Sequence, residues 1–251
     1  MGWIEASTEE QVRILKLNRG IPNPINRELV KELALHLKEA QDSQGVHSLV
    51  LTSANDKFFS MGFDLPELYS KDPQVFKEFF TAYNLLCLNL YIFPKPTIAS
   101  LNGHAIAGGF ILASCCDYRF MSQGKKFCAL NEINLGVPLP YLSDCILRQL
   151  AGDRKATEMM YTGKMIPAEE ALSMGIIDGL FPSENLFQES LTKARLLGGL
   201  PAEAFGAIKK NRTGSVAEDI RRRLEDDVDL FLKFWYAEEA RERLKEAMKK
   251  F

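Results

Sequence analysis

Three short segments hold the residues that could do chemistry. FFSMGFDLPEL (Phe58 to Leu68) and NGHAIAGGFIL (Asn102 to Leu112) are largely apolar, yet glycines break them where a plain core element would carry side chains. Glycine there costs conformational entropy, so something needs bare backbone. Each segment follows a strand-like stretch, where backbone N–H groups are not all used in a sheet. A helix start adds unpaired donors and the positive end of its dipole, and two converging N–H groups make an oxyanion hole. The third segment, ALNEINLGVPLP, sets Glu132 as a lone carboxylate among apolar and amide residues. Burial raises such a carboxyl toward the range useful to a general base. Tight strand-to-helix packing is the competing reason for Gly108 and Gly109.

Most other chemistries find no support. GHAIAGG lacks the Lys-Ser/Thr pair of a phosphate loop, and no G-x-G-x-x-G follows a strand. There is no G-x-S-x-G elbow, and three histidines (His36, His47, His104) give a Ser-His-Asp triad little to draw on. His36 falls inside a helical pattern and His47 at a strand start, both structural positions, and SQGK from Ser122 is too short a pattern to carry weight. H-E-x-x-H and clusters with metal-ligand spacing are absent from the sequence.

The elements that must position these segments follow from periodicity. VRILKL alternates as a half-buried strand, and RELVKELALHLKEAQ carries apolar residues at helical spacing after the turn GIPNPIN. HSLVLTS and KPTIASLNG read as the second and third strands. Between them lies a long amphipathic helix opened by Asp72 and Pro73, and GGFILASCCD turns from the third strand into an apolar helix. YRFM and KFCAL look like further short strands. This β-α-β-α-β order implies a sheet with crossover helices. After about residue 140 helical patterns dominate, interrupted by GIIDGLF, so an α/β core over 1–195 is expected to precede a helical part over 196–251.

Length and composition suit an ordinary globular protein of 251 residues with a sizeable core. A formal net charge of −2 argues against nucleic acid as the main partner. No apolar run reaches membrane-spanning length, and the amino-terminal residues match neither a signal nor a transit peptide. The final KKF is not a peroxisomal address. Five cysteines without C-x-x-C spacing fit a reducing compartment. The expectation is a soluble, cytoplasmic protein without a membrane partner, organelle import being left open.

In order and spacing, F-S-x-G-x-D-L at Phe59 to Leu65, N-G-x-A-x-G-G at Asn102 to Gly109 and E-x-x-L-G at Glu132 to Gly136 resemble the crotonase, or enoyl-CoA hydratase/isomerase, superfamily. GKMIPAEEALSMGIIDGLFP fits its downstream segment, so the resemblance spans essentially the whole chain. It implies a spiral of ββα units whose C-terminal helices contribute to trimerisation and the acyl-CoA site, assembled as a homotrimer or dimer of trimers. The implied substrate is an acyl-CoA thioester, CoA being part of the substrate rather than a separate cofactor.

Carried over by position, the resemblance makes the N–H groups of Phe63 and Gly108 the oxyanion hole and Glu132 the catalytic base. It sets Met61, Gly62, Asp64, Leu65, Gly109 and Ile111 along the substrate. Asp64 reads first as a local cap or salt bridge, and Met61 replaces the alanine usual there, narrowing the adenine or pantetheine channel. His104 reads as packing or a turn hydrogen bond, Asp144 as helix surface. Lys209, Lys210 and Arg212 stand as either CoA-phosphate contacts, within the chain or across a subunit interface, or a solvated helix face. Hydratases resembling this family carry a glutamate in G-G-x-E as well as one in E-x-x-L-G. Here the first position is Ile111, and PLP at Pro138 to Pro140 stands where hydratases tend to be glycine-rich. A single base suits a 1,3 proton shift, so the expected activity is that of the Δ3,Δ2-enoyl-CoA isomerase branch. Hydration with Glu132 alone, thioester hydrolysis, decarboxylation and non-catalytic acyl-CoA binding are the alternatives.

Overall fold

The computed structural model describes residues 2–249. The chain opens with a hairpin, β1 (Ile4–Glu9) against β2 (Val12–Leu17), turning at Glu10 and Gln11, both with positive φ. Helix α1 (Arg27–Asp42) follows, its first turn capped by Asn26, whose side chain accepts the Leu29 N–H at 3.0 Å.

From there the chain repeats one motif. β3 (Ser48–Ser53) and β4 (Phe58–Ser60) lead into helices α2 (Leu65–Tyr69) and α3 (Pro73–Tyr91). β5 (Thr97–Leu101) and β6 (His104–Ile106) lead into α4 (Gly108–Ser114). β7 (Tyr118–Ser122) and β8 (Phe127–Ala129) lead into a 3-10 turn, Glu132–Leu135. With β9 (Ile166–Pro167) and β10 (Gly179–Phe181) from later in the chain, the first strand of each pair joins a six-stranded sheet of order β1-β2-β3-β5-β7-β10, and the second joins a four-stranded sheet of order β4-β6-β8-β9. β3, β5 and β7 are mutually parallel, as are β4, β6 and β8, so each turn advances the chain by one strand in both sheets. This is the expected spiral of ββα units. All six residues of β3 are buried, as a parallel strand covered on both faces requires.

The remainder is α5 (Tyr141–Thr162), β9 (Ile166–Pro167), α6 (Ala168–Met174), β10 (Gly179–Phe181), α7 (Ser183–Gly198), α8 (Ala202–Trp235) and α9 (Glu238–Met248). α5 kinks at Gly152, whose φ of 75 and ψ of 159 are not helical. α8 packs along α3 through stacked rings: Phe80 on Phe231 with centroids 4.0 Å apart, and Phe76 on Trp235 at 4.4 Å. Among the described residues no helix is long and apolar enough to cross a membrane. The five cysteines are unpaired, four of them buried.

Candidate active site

The loop after β4 is pinned from behind. Asn23, buried and at φ 44, donates from Nδ2 to Ser53 Oγ at 2.7 Å and to the Phe59 carbonyl at 3.2 Å. Ser60 Oγ donates to the Asn23 carbonyl and accepts from the Gly62 N–H. Met61 donates its N–H to the Pro22 carbonyl and Asp64 donates to the Ile25 carbonyl, while Ile25 donates to the Gly62 carbonyl. The donors of Met61, Gly62 and Asp64 are therefore used inside the protein, and the bridge to Ile25 leaves out the Phe63 N–H between them. Asp64 also caps α2, accepting the Glu67 N–H at 3.0 Å, and pairs with Arg19 at 2.6 Å.

After β6 the chain turns into α4 through Ala107, at φ 49 and ψ −127. That conformation costs an alanine on the order of 1–3 kcal/mol and persists only where its surroundings impose it. They include an Ala107 N–H bond to the Ala129 carbonyl at 2.8 Å and an Ile111 N–H bond to the Ala107 carbonyl at 2.9 Å. Gly108 begins the helix, so its N–H has no acceptor within it.

The glycines have distinct reasons. A Cβ on Gly109 would stand 2.4 Å from the Ser60 carbonyl oxygen, and one on Gly62, at φ +93, would stand 3.1 Å from Gly108 N. A Cβ on Gly108 would meet the Phe63 ring at 3.0 Å. The bare backbone thus lets the two loops abut, which answers for Gly62 and Gly109 by packing. The same contact brings the Phe63 and Gly108 segments together.

Glu132 opens the 3-10 turn that follows β8, and Gly136 at φ 74 closes it. Glu132 is 5% exposed as a residue, and its Oε2 has no hydrogen-bond partner among the described residues. Burial pushes it from 4.5 up to about 8, partly offset by its own backbone N–H. At neutral pH a minority of the group is ionised, and the ionised form has lost most of its hydration.

These three groups line one cavity of about 820 Å³. Met61, Leu65 and Ile111 line it too, Ile111 being only 2% exposed as a residue. Phe80, Phe231 and Trp235 supply aromatic wall, and α9 contributes Glu239, Glu242 and Arg243. Gly62, Asp64 and Gly109 stand behind this lining.

The other candidates fall elsewhere. Lys209 is not solvated and does not line this cavity: its Nζ is buried in α8, 2.7 Å from Asp117 Oδ2, which also accepts from Thr97. Lys210 and Arg212 lie exposed on the same helix. Asp144 pairs with Arg148 on α5. His104 accepts the Phe127 N–H at 3.1 Å and stacks on that ring, while His36 pairs with Glu39 and His47 with Gln11. The resemblance implied that the C-terminal helices reach the acyl-CoA site, but none of the α8 and α9 lining residues was named from the sequence. The Phe231 and Trp235 spacing in FLKFW was the available signal, two large apolar rings on one helix face.

The Phe63 and Gly108 segments and a buried carboxyl of raised pKa thus share one cavity. That arrangement suits acid–base chemistry by one carboxyl on a largely apolar ligand. Residues 7–251 match the family described as enoyl-CoA hydratase/isomerase. The chain belongs to that family.

Within the enoyl-CoA hydratase/isomerase family, the rat protein named enoyl-CoA delta isomerase 1, mitochondrial, is 27% identical over 233 residues, 92% of this chain and 80% of the relative. Crotonyl-CoA hydratase of Syntrophomonas wolfei is 26% identical over 227 residues, 89% of this chain and 86% of the relative. Among solved structures, human mitochondrial delta3-delta2-enoyl-CoA isomerase superimposes with a TM-score of 0.95 at 25% identity, covering 99% of this chain and 97% of that one. An isomerase and a hydratase stand at nearly equal identity, so the choice between them falls to the residues of the site.

Proposed function

We propose that this protein is a Δ3,Δ2-enoyl-CoA isomerase. The observation that carries the proposal is the pairing of one buried carboxyl at Glu132, its Oε2 without a hydrogen-bond partner among the described residues, with the buried apolar Ile111 on the same cavity wall. Ile111 occupies the position where hydratases resembling this family have a second glutamate, and an isoleucine neither holds nor activates water. The isomerase relatives support the same reading.

In this mechanism the thioester oxygen accepts the N–H groups of Phe63 and Gly108, each worth on the order of 3 kcal/mol to the developing negative charge. Ionised Glu132 takes a proton from C2, giving a dienolate, and returns it to C4, so the double bond moves into conjugation. The elevated carboxyl pKa matches a proton that is taken up and then given back, and a substrate that fills the cavity displaces the water that would otherwise exchange it. Met61, Leu65 and Ile111 flank the acyl group. CoA serves as part of the substrate, with no separate cofactor, and the working assembly is a trimer or a pair of trimers.

Incubation with a 3-enoyl-CoA tests the reading. The expected product is the conjugated 2-enoyl-CoA, and Glu132→Gln is expected to abolish its formation while acyl-CoA binding survives. A 3-hydroxyacyl product, free CoA or carbon dioxide would assign a different reaction, and binding without conversion of an acyl-CoA panel would make the protein a binder.

A further inference from the structure

Helix α3 brings one side chain against both halves of the proposed carbonyl site. Tyr83 is fully buried, and its hydroxyl donates to the Gly108 carbonyl at 2.6 Å. Its ring meets the Phe63 ring edge-on, with centroids 4.8 Å apart and planes at 90°. A Cβ on Gly108 would lie 3.0 Å from Phe63 Cε1 and 3.2 Å from the Tyr83 hydroxyl oxygen, so the three residues form one close-packed group.

Gly108 needs such a hold. Turning the 107–108 peptide plane over changes ψ of Ala107 and φ of Gly108 by about 180° each, since the plane itself is rigid. Ala107 would pass from φ 49, ψ −127 to a ψ of about +53°, the left-handed region that an alanine tolerates better. Glycine accepts either φ. The relaxed form would turn the Gly108 N–H away from the cavity. The Ile111 N–H opposes this flip directly by fixing the Ala107 carbonyl, and the Tyr83 hydroxyl fixes the next plane through the Gly108 carbonyl, holding in place the helix start that carries Gly108. Burial keeps the phenol protonated well above its ordinary pKa, so this donor persists throughout the working pH range.

We propose that Tyr83 is a positioning residue, its hydroxyl holding Gly108 and its ring edge holding Phe63 so that both N–H groups converge on one oxygen before substrate arrives. This inference rests on the reading of those two groups as thioester donors.

Tyr83→Phe keeps the ring and removes the hydroxyl. Three readouts are expected to move: amide hydrogen exchange over residues 106–112 of the free protein quickens severalfold, while exchange in α1 does not. The carbonyl stretch of a bound, 13C-labelled acyl-CoA thioester shifts back toward its value in solution. Turnover falls about five- to tenfold, as expected for one lost hydrogen bond, with KM within twofold. Unchanged exchange, carbonyl frequency and kcat would overturn the inference even if the variant melted earlier, because a merely structural tyrosine would change stability alone. If the wild type neither binds nor polarises an acyl-CoA, the isomerase reading fails, and the exchange measurement still decides whether Tyr83 holds the loop. Should Tyr83→Phe not fold, Phe63→Leu keeps the backbone donor and removes the ring contact. It is then expected to give the same return of the carbonyl frequency, and an unshifted frequency would count against the proposal.

Discussion

Glu132→Gln keeps the shape of the side chain and removes its titration. In the wild type, burial holds the carboxyl at about 8 against 4.5 for an unburied one. Between those values the folded protein keeps a proton that the unfolded chain has released, so folding stability falls as pH rises through this window. The contribution is complete below pH 4.5 and gone above about 8. Each pH unit over which only the native carboxyl is protonated is worth about 1.36 kcal/mol. Between pH 6 and pH 8, allowing for half-ionisation of the native group at the upper limit, the change is about 2.3 kcal/mol. Glutamine has no such term, so the variant should gain on the wild type by that amount as pH rises. For a protein of this size the gap in melting temperature widens by about 5–9 °C. Thermal unfolding of both proteins at pH 6, 7 and 8, at fixed ionic strength, measures it, because other titrations cancel in the difference. A gap independent of pH would refute the buried, raised carboxyl. The same group predicts that wild-type kcat/KM climbs about tenfold per unit below pH 8 and levels above it.

The glycine between the loops gives a second prediction: Gly109→Ala drives a Cβ into the Ser60 carbonyl oxygen and should cost about 2–4 kcal/mol in denaturant unfolding. Lys209→Met strips Asp117 of its cation and should destabilise by about 2–4 kcal/mol, with kcat at saturating substrate unchanged, as urea melts and rate assays would show. Ile111→Glu places a second carboxyl on the cavity wall beside Glu132. Like-charge repulsion should then move the acid limb of the pH–rate profile upward, by about one unit; an unmoved limb would mean that the two groups do not share the site.

Strongly periodic and well-capped stretches were legible from residues alone. Asp72 accepts the N–H groups of Gln74 and Val75 at the start of α3, the N-cap role expected of it. Short elements were harder. β4 and β6 have three residues each, below the length at which alternation can be seen, and β1 buries only Ile4, so its outward face hides its pairing with β2. The first half of α8 carries Gly206, Gly214 and many polar residues and buries only Lys209, Thr213 and Ala217, so no apolar periodicity marks it. At the site, glycine positions were readable but their neighbours were not. Gly109 makes room for Ser60, and Gly108 for Phe63 and Tyr83, contacts that exist only once two turns of the spiral are stacked. The solvated-face reading of Lys209 failed for the same reason, since its partner Asp117 lies ninety-two residues away.

The most direct test of the account is a single-turnover reaction of the protein with a 3-enoyl-CoA in deuterated water, followed by product analysis. The account predicts a conjugated 2-enoyl-CoA in which much of the C4 hydrogen comes from C2 of the same molecule, delivered by one shielded carboxyl. A 3-hydroxyacyl-CoA as the first product formed, or conversion at the wild-type rate by Glu132→Gln, would contradict it.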